Sequence, residues 1–81
     1  MDVVLVFKTD ARNTKASRKL FAVCSSKRAA ISLVVNDLLK RNKIKSEEIK
    51  EYRETLHKQS QTQGLDANFQ LTETTVNKLF K

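Results

Sequence analysis

Asp2-Val3-Val4-Leu5-Val6-Phe7-Lys8-Thr9 is the stretch whose reading decides the fold. Successive side chains of an extended segment point to opposite faces, so Val3, Leu5 and Phe7 share one face while Val4 and Val6 share the other. A strand that is apolar on both faces belongs in the middle of a sheet. A second such strand is read over residues 19–24, where Leu20, Ala22 and Cys24 alternate with Phe21 and Val23. The segment between them, residues 10–18, is polar and without periodicity. A hairpin with a long basic loop follows.

Ser25 and Ser26 are helix-capping types, and Ala30, Ile31, Val34, Val35, Leu38 and Leu39 recur at helical spacing, which predicts a helix over residues 26–41. Lys40, Arg41 and Lys43 complement the negative end of its dipole. Ser46 with Glu47 and Glu48 marks a second helix start, and Ile49, Tyr52 and Leu56 form its narrow apolar stripe. That stripe fades through residues 59–63, and Gly64 is the expected C-terminal cap. Ala67, Phe69 and Leu71 then alternate with Asn68, Gln70 and Thr72, a third strand polar on one face that continues toward Val76. Leu79 and Phe80 are expected to pack at the sheet end, or residues 75–80 to form one helical turn.

The expectation is a single α+β domain over residues 1–81, in the order strand, strand, helix, helix, strand, with two helices packed on one face of a three-stranded sheet. The first strand is placed between the other two. Counting chain reversals through the hairpin and the helical pair makes the last strand parallel to the first, so a mixed sheet is expected. Two helices on one face leave the other uncovered. Val4, Val6, Phe21 and Val23 are assigned to that face, as an apolar patch of roughly a few hundred Å² suited to a host protein or to a second copy in a homodimer.

Eighty-one residues bury only about 60–65% of the surface of the unfolded chain, room for one modest core and no separate catalytic domain. Cys24 is the only cysteine, which suits a reducing cytoplasm and leaves no intramolecular disulfide. The start Met1-Asp2 lacks the basic and long apolar regions of a signal peptide, and no apolar run approaches the roughly 18 residues of a membrane span. A cytoplasmic protein with no membrane partner is expected.

The net charge of +7 is unevenly placed: residues 1–45 carry 11 Lys or Arg against 3 Asp, and residues 46–81 carry 5 against 6 acids. A basic first half favours nucleic acid or an acidic protein surface. Lys8, Arg12, Lys15, Arg18, Lys19, Lys27 and Arg28 are read as gathering at one end, where they would neutralise DNA or RNA phosphates. Phe7 and Phe21 are the only aromatics near that set and the core claims both, so such binding would ignore sequence. A helix-turn-helix does not fit, because the second helix starts acidic.

Chemistry is sparse. His57 is the sole histidine and reads as a surface residue; Cys24, close to a helix start but with no positioned base, reads as a small buried side chain. Glu47, Glu48, Glu51 and Glu54 have the spacing of a solvated helix face. One glycine cannot build a phosphate loop, and no Cys/His zinc pattern is present. No enzyme activity, metal or cofactor is expected.

The sequence Phe-Ala-Val-Cys-Ser-Ser at 21–26, the following Lys-Arg-Ala-Ala at 27–30 and the Gln-Thr-Gln-Gly turn at 61–64 complete a pattern over residues 3–77. That pattern resembles small orphan α+β proteins encoded by phages and mobile elements. The resemblance implies a non-enzymatic accessory or inhibitor that binds and modulates a host factor or a defence system, and it transfers no site residue. The basic first half departs from any acidic DNA-mimic form.

Overall fold

The structure, a computed structural model, describes residues 2–75, so the expectations for Val76, Leu79 and Phe80 lie outside the described residues. The elements are β1 (Asp2–Asp10), β2 (Lys19–Cys24), α1 (Lys27–Lys40), α2 (Ile49–Gln59) and β3 (Ala67–Thr75), with short 3₁₀ turns at Lys15–Ser17 and Ser46–Glu48. This is the expected α+β order. The sheet runs β2-β1-β3, with β1 in the middle as its two apolar faces require.

The sheet is antiparallel throughout, which corrects the expected mixed sheet: β3 pairs antiparallel with β1 from Asp2↔Thr75 to Asp10↔Ala67. The reason is one uncounted chain reversal. Helix α2 stops at Gln59, where Ser60 takes the left-handed conformation (φ 56°), and its N–H caps the Leu56 carbonyl. Residues 61–62 then run beside β3, through the antiparallel bridge Gln61↔Gln70. Only after that does the chain turn again near Gly64, whose φ of 78° favours glycine, and enter β3. Two turns in place of one invert the strand.

Register decides which sheet face the helices cover. Val6 stands opposite Leu71 in β3 and opposite Ala22 in β2, and Val4 stands opposite Cys24. The apolar face of β3 therefore lies beside Val4 and Val6, where small Ala22 and Cys24 let a helix approach closely. Ala30, Ile31, Val34, Val35 and Leu38 of α1, Ile44 from the connection and Leu56 of α2 pack there with Val4, Val6, Phe69 and Leu71. Helix α1 contacts all three strands, and α2 packs against α1. Each fully buried Val, Leu, Ile or Phe side chain of this set contributes about 1.5–3 kcal/mol.

The ends of α1 follow from local chemistry. Ser26 Oγ accepts the Ala29 N–H at 3.1 Å. At the other end Asn42 is left-handed (φ 58°), with Asn42 N–H to the Leu39 carbonyl and Lys43 N–H to the Leu38 carbonyl, a Schellman ending that delivers Ile44 into the core. At α2 the Ser46 hydroxyl makes no cap; Glu48 Oε1 accepts the Lys45 N–H at 2.9 Å instead.

Candidate functional site

The bulge in β2 organises the exposed surface. The β1 pairing passes from Val6↔Ala22 to Phe7↔Leu20, so Phe21 is an extra residue without a partner of its own. A bulge bends its strand and re-aims a side chain. Here it turns Phe21 to the helix side, edge-on to Phe69 with ring centroids 5.3 Å apart, and places Leu20 beside Phe7 on the opposite face. The result is an edge strand whose large apolar side chains are poorly covered: Leu20 is 59% exposed, Val23 57% and Phe21 37%, and Leu33 of the adjacent helix is 36% exposed.

The four residues expected on an uncovered face are therefore split. Val4 and Val6 are 4% and 0% exposed and lie beneath the helices, which corrects their assignment. Phe21 is on the helix side through the bulge. Val23, opposite Leu5, is on the face away from the helices, and its neighbours there are Leu5, Phe7 and Leu20. Alternation separates the two faces of β1 but does not say which one aligns with Phe69 and Leu71. A one-residue change of register would exchange them.

That second face is narrower than expected because the hairpin loop folds onto it. The Arg18 guanidinium carbon sits 4.0 Å from the centroid of the Phe7 ring, and its Nη2 reaches Thr72 Oγ1 at 3.5 Å. Arg18 Nε is buried with no hydrogen-bond partner among the described residues. At the loop end Thr9 and Asn68, a cross-strand pair on this face, are 4% and 0% exposed. Asn68 Oδ1 accepts from Thr62 Oγ1 at 2.9 Å, and Asn68 Nδ2 lies within hydrogen-bond distance of the carbonyls of Asp10, Ala11 and Leu65. Asn13, left-handed at φ 56°, donates from Nδ2 to the Thr62 carbonyl at 2.9 Å. A buried polar knot thus ties the hairpin loop, residues 60–66 and the start of β3 together.

Asp10 holds the loop from outside. Its Oδ1 accepts the N–H groups of Arg12 and Thr14, and its Oδ2 accepts the Thr14 hydroxyl at 2.9 Å. The Thr14 N–H contributes most to holding the Asp10 carboxyl below its ordinary value of 3.8. A depressed carboxyl stabilises the folded loop above the unfolded value and loses that contribution as pH falls through the lower, folded one. Hydrogen exchange should therefore show the Arg12 and Thr14 amides losing protection below pH 3.8 before the amides of β1 do, and Asp10→Ala should show that loss at neutral pH.

The basic residues do not form the single cluster expected. Arg12, Lys15, Arg18 and Lys19 lie at the loop end of β2, whereas Lys27 and Arg28 follow Cys24 at its other end. The six-residue strand separates the two groups by roughly 17 Å at about 3.3 Å per residue. Lys27 is also engaged, donating to the His57 carbonyl at 3.0 Å. Lys8, cross-strand from Lys19, stays with the loop-end group as expected, and in place of Lys27 and Arg28 that end gains Lys40 at the end of α1, which borders a groove with Phe21, Leu33 and Asp37. Lys40 could not be found from sequence proximity, since only the course of α1 across the sheet brings it there.

His57 is exposed and Cys24 is half-buried against the core. Among the described residues no three His, Cys, Asp or Glu side chains converge to hold a metal ion, and no helix is long and apolar enough to cross a membrane. Comparison with known protein families, with curated proteins and with solved structures returns no match to this chain.

Proposed function

We propose that this chain is a small non-enzymatic protein-binding accessory or inhibitor. In keeping with its resemblance to small phage and mobile-element proteins, it modulates a host factor or defence system in a reducing cytoplasm, where its lone Cys24 stays a thiol. One observation carries the reading: around the β2 edge Leu20 and Val23 on one face and Phe21 and Leu33 on the other remain exposed although the core is complete. Large apolar side chains exposed on both faces of a sheet edge are a liability for a protein that binds nothing, and binding sites draw on such surfaces. Leu5 and the Arg18-covered Phe7 extend the patch onto the face away from the helices.

Leu20→Glu with Val23→Glu tests this surface without touching the core. Both side chains are more than half exposed, so the pair should lower stability by about 1 kcal/mol or less while abolishing complex formation. Proteins retained by the wild-type chain from cells of its source, and lost with the double variant, are the expected result. Retention unchanged by the substitutions would remove this surface from consideration. Sizing with light scattering reports self-association: a dimer that the same substitutions dissociate would make the partner a second copy.

Nucleic-acid binding is a second reading, favoured by the absence of any acid from residues 11–36, which carry Arg12, Lys15, Arg18, Lys19, Lys27 and Arg28. Arg12→Glu should then weaken binding to every DNA or RNA sequence alike, with affinity falling steeply as salt rises. Absence of any gel shift at low salt would dispose of it.

A further inference from the structure

We propose that the free edge of β2 takes up an extended, acidic and apolar strand from a partner protein; this inference deepens the protein-binding reading above and rests on it. Strand β2 pairs with β1 on one side only, so its outer row of backbone N–H and C=O groups is open to another strand among the described residues. An added strand sends alternate side chains to the two sheet faces, and here each face offers an apolar contact beside a cation. On the helix side these are Phe21 and Leu33 with Lys40, and Phe21 again with Lys8 and Lys19. On the other side they are Leu20 and Val23, near the Arg18 guanidinium that Phe7 holds in place.

Charge selects the occupant. Lys8, Lys19 and Lys40 have no ion-pair partner among the described residues. Of the two acids that border the same grooves, Asp37 is ion-paired, its Oδ2 lying 3.3 Å from Arg41 Nε although it accepts no hydrogen bond among the described residues, and Asp10 accepts from its own loop. The field left at the edge is positive, so it attracts carboxylates and repels a second copy, which would bring its own Lys19 and a further net charge of +7. An acidic strand satisfies both the open backbone and the lysines.

The probe is a fluorescein-labelled peptide of eight residues alternating valine or isoleucine with aspartate or glutamate, titrated into the full chain and read by anisotropy and amide exchange. Binding should protect β2 amides, and methylation of alternate peptide nitrogens should abolish it. Lys19→Glu with Lys40→Glu, both at exposed positions, should weaken binding about tenfold or more, and should bind the peptide whose acids are replaced by lysine. No binding, or binding indifferent to N-methylation, overturns the proposal. So do β2 amides already protected by self-association, or a single-stranded oligothymidylate that displaces the peptide and binds more tightly. If the peptide fails while Leu20→Glu with Val23→Glu still loses its protein partner, the wider reading survives with another partner chemistry; if both experiments fail, both fall.

Discussion

Phe69→Ala should cost about 3–5 kcal/mol, the range for removing a buried aromatic side chain. A domain of 81 residues has only about 4–12 kcal/mol in total, so this substitution alone should leave much of the chain unfolded at physiological temperature. Phe69 is 1% exposed and joins the sheet to the helices. Its ring also supports two features of the edge, the Phe21 ring 5.3 Å away and the Lys8 ammonium 6.0 Å above its centroid. Phe69→Leu, which retains most of the buried volume, should cost clearly less and keep the fold while loosening Phe21. Denaturant unfolding of the two variants checks the ranking; a Phe69→Ala protein within 1 kcal/mol of wild type, on the scale of a surface change, would show that the core does not depend on this ring.

Asn68→Ala should destabilise by about 3 kcal/mol, which is large for an asparagine in a strand and follows from what it leaves unpaired. The side chain is 0% exposed and answers the Asp10, Ala11 and Leu65 carbonyls and the Thr62 hydroxyl. Water does not reach this site freely, so those groups would bear the desolvation penalty of lost partners. Asn68→Asp should also be unfavourable, because it keeps the acceptor for Thr62 but faces carbonyl oxygens with a carboxylate. A thermal midpoint lowered by some 10–20 °C for Asn68→Ala is the expected measurement. A shift of only a few degrees, as for an exposed Asn→Ala, would mean that the knot adds little beyond the backbone pairing around it. Thr62→Val removes two bonds of the same knot, the hydroxyl's donation to Asn68 Oδ1 and its acceptance of the Phe69 N–H at 3.0 Å, and should give a comparable shift, while the Thr62 N–H to the Phe69 carbonyl at 2.9 Å remains.

Asn68 also shows where sequence reading stops. Its alternation with Phe69 placed it on the polar face of the third strand, which is correct as a matter of faces, yet the hairpin loop closes over that face and buries it. Leu65 is a local partner three residues away, but burial of this short polar side chain depends on the distant carbonyls of residues 10 and 11 arriving beside it, and no local pattern reports those. Phe21 is the counterpart in the candidate site. Strict alternation put it on the face of Val23, and the bulge moved it across because one extra residue had to be accommodated between Ala22 and Leu20. The helical start at Ser26, the buried stripe of α1 and the central place of β1 were legible, since each follows from spacing within a few residues.

Local chemistry by itself therefore determined the elements, their order, the basic character of the first half and the two-faced apolar strand at the centre of the sheet. Tertiary structure alone decided the direction of β3, the choice of Val4 and Val6 for the core, and the arrival of Lys40 beside Phe21. The physical reason is the same in each case. Periodicity reports the faces of one segment at a time, whereas register, chain reversals and bulges set how the faces of separate segments meet, and a single residue of shift exchanges inside for outside.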